Sequence, residues 1–184
     1  MSGVRLVEAG QAPLLARRYY AGGDPGAIVA ALAHVPEVLE VAMPFIATTL
    51  GASAIDARTK ELVILRTSAR LGCRYCTQTH TVAARDTGLS RAEVAALRGA
   101  APVDGAFGSP RELALLAWTD AVAVGPGPVP PAARAALLAQ FQDPEVVELT
   151  LLAAATVMLN RFCTALELPT SQKVLRRLAA EGWA

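Results

Sequence analysis

Two cysteines and a histidine fall within one eight-residue stretch, Cys73-Arg74-Tyr75-Cys76-Thr77-Gln78-Thr79-His80. At about 100° per residue, a helix through this stretch carries Cys73, Cys76 and His80 on one stripe, with His80 roughly 6 Å of axial rise beyond Cys76 and about 10.5 Å beyond Cys73. The histidine is thus better placed to take a proton from Cys76. Two thiols at i and i+3 can close a short-range disulfide, and Gly72 just before them suits a tight entrance to the helix. A redox-active dithiol is the leading chemistry. A structural zinc would need a fourth ligand, and the chain has no second C-x-x-C and only one other histidine, His34. A c-type haem would need histidine directly after Cys76, where Thr77 stands, and a thioredoxin-like fold would need strands around the motif. The plainest reading is two buried cysteines and a polar histidine. Attack on a peroxide by a thiolate also calls for a base and for a carboxylate to orient it. Glu61, which interrupts an otherwise apolar helix face, is the natural carboxylate; a first-turn glutamate favouring the helix dipole fits its position equally well.

These residues must be positioned by helices. The chain has 184 residues, 53% of them apolar and 38 of them alanine, with few β-branched runs, and no stretch reads as a strand. The fold class expected is all-α, in a single domain over 1–184. Asp56 reads as the N-cap of a helix from Ala57 to Leu71 ended by Gly72; a second helix runs from near Cys73 to about Asp86, closed by Gly88. Ser90 to Glu93 and Ser109 to Glu112 read as capping boxes, the first opening a short helix that stops at Gly99 and the second a helix to about Val124. Gly125 to Pro131 reads as loop, followed by Ala132 to Phe141, a long helix capped at Asp143 and running to about Leu166, and a last helix over Ser171 to Glu181. Pro25 to His34 and Pro36 to Thr48 read as short helices. Residues 56–77 and 143–164 share seven identities over 22 positions, among them Cys76 with Cys163. That echo fits either a duplicated helical unit or two Leu-rich capped helices of like composition. Cys163 itself reads as a buried core thiol that stays reduced on mild oxidation.

Composition excludes several classes. Lys+Arg 17 against Asp+Glu 16 leaves net charge +1 and no basic stripe, which argues against nucleic-acid binding. The longest charge-free run, Val41 to Ile55, is broken by Pro44 and Gly51 and is too short for a bilayer span. No apolar leader follows Met1, and three cysteines do not make a secreted disulfide framework, so a cytoplasmic location is the expectation. The mean hydropathy of +0.38 exceeds what a lone helical domain of this size needs, which favours a homo-oligomer.

Glu61, the twelve-residue step to Cys73, and C-x-x-C-x-x-x-H together resemble the alkylhydroperoxidase D-like family within the carboxymuconolactone decarboxylase superfamily. The resemblance is specific over about residues 44–97, including Thr87-Gly88-Leu89-Ser90, and weaker at Asn160-Arg161-Phe162 and Leu166 to Pro169. It implies an all-helical fold that assembles as trimers or hexamers. It also implies reduction of a hydroperoxide by a dithiol, without metal or organic cofactor, recharged by a lipoyl- or thioredoxin-type donor. Carried over, Cys76 is the attacking thiol, Cys73 the resolving one, and His80 with Glu61 the proton relay. Relatives often have a histidine just before the second cysteine; here Tyr75 stands in that place and either donates a hydrogen bond or packs. Superfamily members that decarboxylate lactones lack the cysteine pair, so a lyase or isomerase using His80 and Glu61 is the alternative enzyme, and a zinc-holding helical protein the alternative without catalysis.

Overall fold

The Asp56 side chain accepts the Thr59 N–H at 2.8 Å and opens α3 (Ala57–Arg70), the helix around which the molecule is organised. The computed structural model describes residues 2–51 and 53–183, and among them the regular elements are all helical. Two 3-10 segments, Ala9–Gln11 and Leu14–Tyr20, precede α1 (Ala27–Leu32) and α2 (Pro36–Leu50). After α3 come α4 (Arg74–Asp86), α5 (Arg91–Leu97), α6 (Pro110–Val124), α7 (Pro131–Leu138), α8 (Asp143–Ala165) and α9 (Gln172–Ala180).

Helix α3 is buried on nearly every face. Leu62, Val63, Ile64 and Leu65 join Val94 and Leu97 of α5, Leu115 and Leu116 of α6, and Leu149 and Leu152 of α8 in the main core. Its polar side chains reach distant partners, as burial requires. Lys60, 1% exposed, donates to the carbonyls of Thr49 and Gly51 at 3.1 and 2.6 Å and pairs with Glu148 of α8 at 2.8 Å. Arg66 makes a two-pronged pair with Asp120 of α6 at 2.7 and 2.6 Å, and Arg58 holds both Glu93 and Glu112.

Most boundaries expected from sequence are present, and the departures have local causes. The Ser90–Glu93 capping box forms as expected. Ser109 takes the N-cap position of α6, but its side chain makes no cap bond. The α8 cap is Gln142, which shares a capping box with Glu145, so Asp143 is the first helical residue. Pro131, read as loop, starts α7, where its missing N–H has no partner to lose. The two 3-10 segments have no period to read and were not expected.

Helix α8 packs against α2, α3, α4, α6 and α7. By length and composition it could cross a bilayer, a feature that counting charge-free residues misses because Glu148 and Arg161 lie within it; 44% of its most apolar window is buried in the protein. The 22-residue echo does not recur as local structure. Residues 56–77 turn at Gly72 between two helices, whereas 143–164 are one unbroken helix.

Candidate active site

Cys73 ends one helix and starts the next. The Gly72 N–H bonds to the Ala69 carbonyl and the Cys73 N–H to the Ser68 carbonyl, both at 3.1 Å, the double closure of a helix whose C′ residue is left-handed. Gly72 takes that conformation at φ +66°. Cys73 is therefore not the first helical residue. It is the N-cap of α4, with extended backbone, and its sulfur receives the Cys76 N–H at 3.3 Å. A thiol rarely caps a helix, and here the cap faces the positive end of the α4 dipole.

Helix α8 brings a third thiol to the same place. Cys73, Cys76 and Cys163 are all reduced and buried, and they form one cluster with Leu168, Ala27 and Ala31. Contacts from the Cys163 and Cys76 thiols, the Cys76 N–H and Thr164 together overcome burial and hold the Cys73 thiol far below its usual range. Cys76 moves up, through its contacts with Cys163 and Cys73 and through burial. Cys163 moves up as well, chiefly through Cys73. Of the three thiols, Cys73 is the one whose ionised form the surroundings favour. Tyr75, half-buried against the cluster, is pushed up to about 12 by desolvation and by the nearby sulfurs, so its phenol keeps its proton.

On the other side of Cys76 lies the acid–base pair. The His80 Nδ1–H donates to both oxygens of Glu61, at 3.1 and 3.0 Å. A carboxylate only accepts, so the ring proton sits on Nδ1 and the Nε2 lone pair is free to take another. Glu61 is 9% exposed; it is a buried partner of His80 rather than a solvated first-turn glutamate. His34, the other histidine, meets the Arg5 carbonyl at 2.7 Å, away from the site.

Two cavities meet at Tyr75. One, of about 480 Å³, is lined by Cys73, Cys163, Tyr75, Thr164 and Glu167 among others. The second, of about 780 Å³, lies against Tyr75, Thr79 and the N-terminal segment around Leu6 and Tyr20. Glu167, at the left-handed C′ position of α8 with φ +50°, is the one described residue other than glycine with positive φ. The structure therefore gathers Cys73, Cys76 and Tyr75 with Cys163, Thr164 and Glu167 at the start of α4, and pairs His80 with Glu61 one turn further along that helix. The added residues left one signal in the sequence: Asn160 and Cys163, polar and thiol positions three apart on a Leu- and Ala-rich helix. Asn160 is buried and donates to Ser68 Oγ at 3.3 Å, fixing α8 beside the end of α3. No group of three or more His, Cys, Asp or Glu side chains among the described residues converges on a position that could hold a metal ion, so Cys73, Cys76 and His80 are not arranged as a zinc site.

Residues 36–121 match the model of the carboxymuconolactone decarboxylase family. No curated protein matches the chain by sequence. Among solved structures, the chain is similar to a protein of unknown function from Agrobacterium tumefaciens, described as a candidate antioxidant-defence protein AhpD, at 27% identity and TM-score 0.68 over 77% of this chain and 95% of that one. It is also similar to an uncharacterised peroxidase-related protein from Ralstonia eutropha with an alkylhydroperoxidase AhpD core, at 18% identity and TM-score 0.81 over 94% of each chain. A cysteine-to-alanine variant of the debrominase Bmp8, in complex with 2,3,4-tribromopyrrole, matches at 18% identity and TM-score 0.76 over 96% of each chain. The last two likenesses establish the fold, which is alkylhydroperoxidase D-like.

Proposed function

From a chain whose residues 36–121 match the model of the carboxymuconolactone decarboxylase family, on an alkylhydroperoxidase D-like fold, we propose a thiol-dependent hydroperoxide reductase that cycles through a Cys73–Cys76 disulfide. The observation that carries this reading is the His80–Glu61 pair, one helical turn beyond a two-cysteine helix start. His80 Nε2 takes the Cys76 proton, and the Cys76 sulfur attacks the peroxide O–O bond. The proton returns to the leaving alkoxide, giving an alcohol and a Cys76 sulfenic acid. The Cys73 thiolate, ready without further deprotonation, then attacks the Cys76 sulfur. Hydroxide leaves, taking a proton from solvent to become water, and the disulfide closes. A dithiol donor of lipoyl or thioredoxin type restores both thiols in a reducing compartment such as the cytoplasm. The antioxidant-defence description of the Agrobacterium neighbour and the peroxidase-related description of the Ralstonia one support this reading.

One observation favours a second division of labour. Cys73 both holds the resting charge and lines the smaller cavity, which suits it to attack directly, with Cys76 resolving. The function is the same and the order reversed. The test of the function is peroxide consumption with dithiothreitol, dihydrolipoamide and reduced thioredoxin as donors, with free thiols counted before and after. Peroxide loss coupled to loss of two thiols supports it. Turnover of a lactone with all thiols intact would give the acid–base lyase instead.

Exposed apolar side chains on α2 (Val38, Val41, Phe45) and α8 (Val147, Leu151, Met158) support a homo-oligomer, a trimer or hexamer, as the working form. A species of only 19.1 kDa in light scattering would contradict it.

A further inference from the structure

We propose that Cys163 is a third redox thiol, which takes over the disulfide by exchange and presents it to the reductant in the cavity that it lines with Cys73. The inference rests on the dithiol reading above. Cys163 comes from α8, 87 positions after Cys76, and packs in one buried cluster with both cysteines of the motif. Cys73 and Cys163 share the 480 Å³ cavity, whereas Cys76 lines neither that cavity nor its larger neighbour. A donor thiol entering the cavity therefore meets Cys163 and Cys73, not Cys76.

The exchange conserves electrons. The Cys163 sulfur attacks Cys73 Sγ of the Cys73–Cys76 disulfide, the Cys73–Cys76 bond breaks, and Cys76 leaves as a thiolate that receives the proton Cys163 gives up. The products are a Cys73–Cys163 disulfide and a free Cys76 thiol beside His80. Cys73 no longer bears a negative charge once it is in a disulfide, so the contact that holds the Cys163 proton in the resting cluster is gone when Cys163 must ionise. Two tasks are thereby separated in space: peroxide is met on the His80 side and reductant on the cavity side.

Disulfide mapping tests this directly. Wild-type protein is oxidised with one equivalent of hydrogen peroxide, quenched in acid, alkylated under denaturing conditions, digested and analysed by mass spectrometry. Cys73–Cys76 and Cys73–Cys163 linkages are both expected. Cys163→Ala should leave Cys73–Cys76 alone, and Cys76→Ser oxidised with diamide should give Cys73–Cys163, so the inference does not depend on a single variant folding. Cys163 recovered fully alkylated from oxidised wild type that contains Cys73–Cys76 overturns the relay and leaves the dithiol reading standing. Absence of any disulfide in the wild type overturns both.

Discussion

The two sides of the cysteine pair are built from opposite materials. Beyond Cys76 stand an imidazole and a carboxylate, groups that move protons. Around Cys73 stand a helix N-terminus, two thiols and a threonine, groups that hold a negative charge in place. One buried cluster therefore separates proton handling from charge storage across three residues of sequence. The difference shows why an i, i+3 spacing serves a dithiol cycle. The N-cap residue sees the helix dipole, and the residue one turn in sees the side chains of the helix face.

Removing either cysteine breaks both sides at once, and has the largest effect. Cys73→Ser and Cys76→Ser should each abolish multiple turnover in a peroxide-consumption assay, because the Cys73–Cys76 disulfide cannot form. Breaking only the proton side comes next. His80→Asn should lower the rate of peroxide attack by about 10²- to 10³-fold, within the usual range for a general base. Burial and the contacts from Cys163 and Cys73 hold the Cys76 pKa high, so without its acceptor the thiol ionises only in alkaline solution, and raising the pH should restore rate. Glu61→Gln should act in the same direction by about tenfold, since an amide still orients the ring but no longer favours its protonated form.

Weakening the charge side should have a different signature. Alkylation of Cys73 by iodoacetamide should be nearly independent of pH from neutral upward in the wild type, because a thiol with a depressed pKa is already ionised there. Cys163→Ala removes the largest contribution to that depression. The Cys73 pKa then rises toward its ordinary value, and the alkylation rate at neutral pH should fall and climb again as pH is raised.

The smallest effects concern the two helix ends that line the cavity. Both close in the same left-handed way, one with Gly72 and the other with Glu167. A Cβ on Gly72 would meet nothing within 4 Å, so Gly72→Ala should cost stability only through its backbone, about 1 kcal/mol. Glu167→Gly should gain up to about 1 kcal/mol by relieving the same strain, less the greater entropy of the unfolded chain. Thermal unfolding of both variants measures the pair; equal shifts of the same sign would contradict the shared geometry.

Much of this was legible in the sequence because it is local. The caps at Asp56 and Ser90 and the turn at Gly72 are set by neighbours a few residues apart, as is the cysteine–histidine stripe. What differs is the capping at Ser109, whose side chain makes no cap bond, and at Asp143, where Gln142 one residue earlier shares the capping box with Glu145. Glu61 was ambiguous from spacing and was singled out by the family resemblance. Cys163 is legible as a buried thiol, but its packing beside the pair is not. Its place beside Cys73 depends on how α8 packs on α3 and α4, through contacts such as Asn160 with Ser68, and periodicity within one helix does not encode that.

The order of attack is settled most directly by trapping sulfenic acid with dimedone after one equivalent of hydrogen peroxide, in Cys73→Ser and in Cys76→Ser, with the site of the adduct read by mass spectrometry. If Cys76 attacks and Cys73 resolves, Cys73→Ser carries the adduct on Cys76 and Cys76→Ser carries none. An adduct on Cys73 in Cys76→Ser, with Cys76 unmodified in Cys73→Ser, would contradict that order and make the N-cap thiolate the nucleophile.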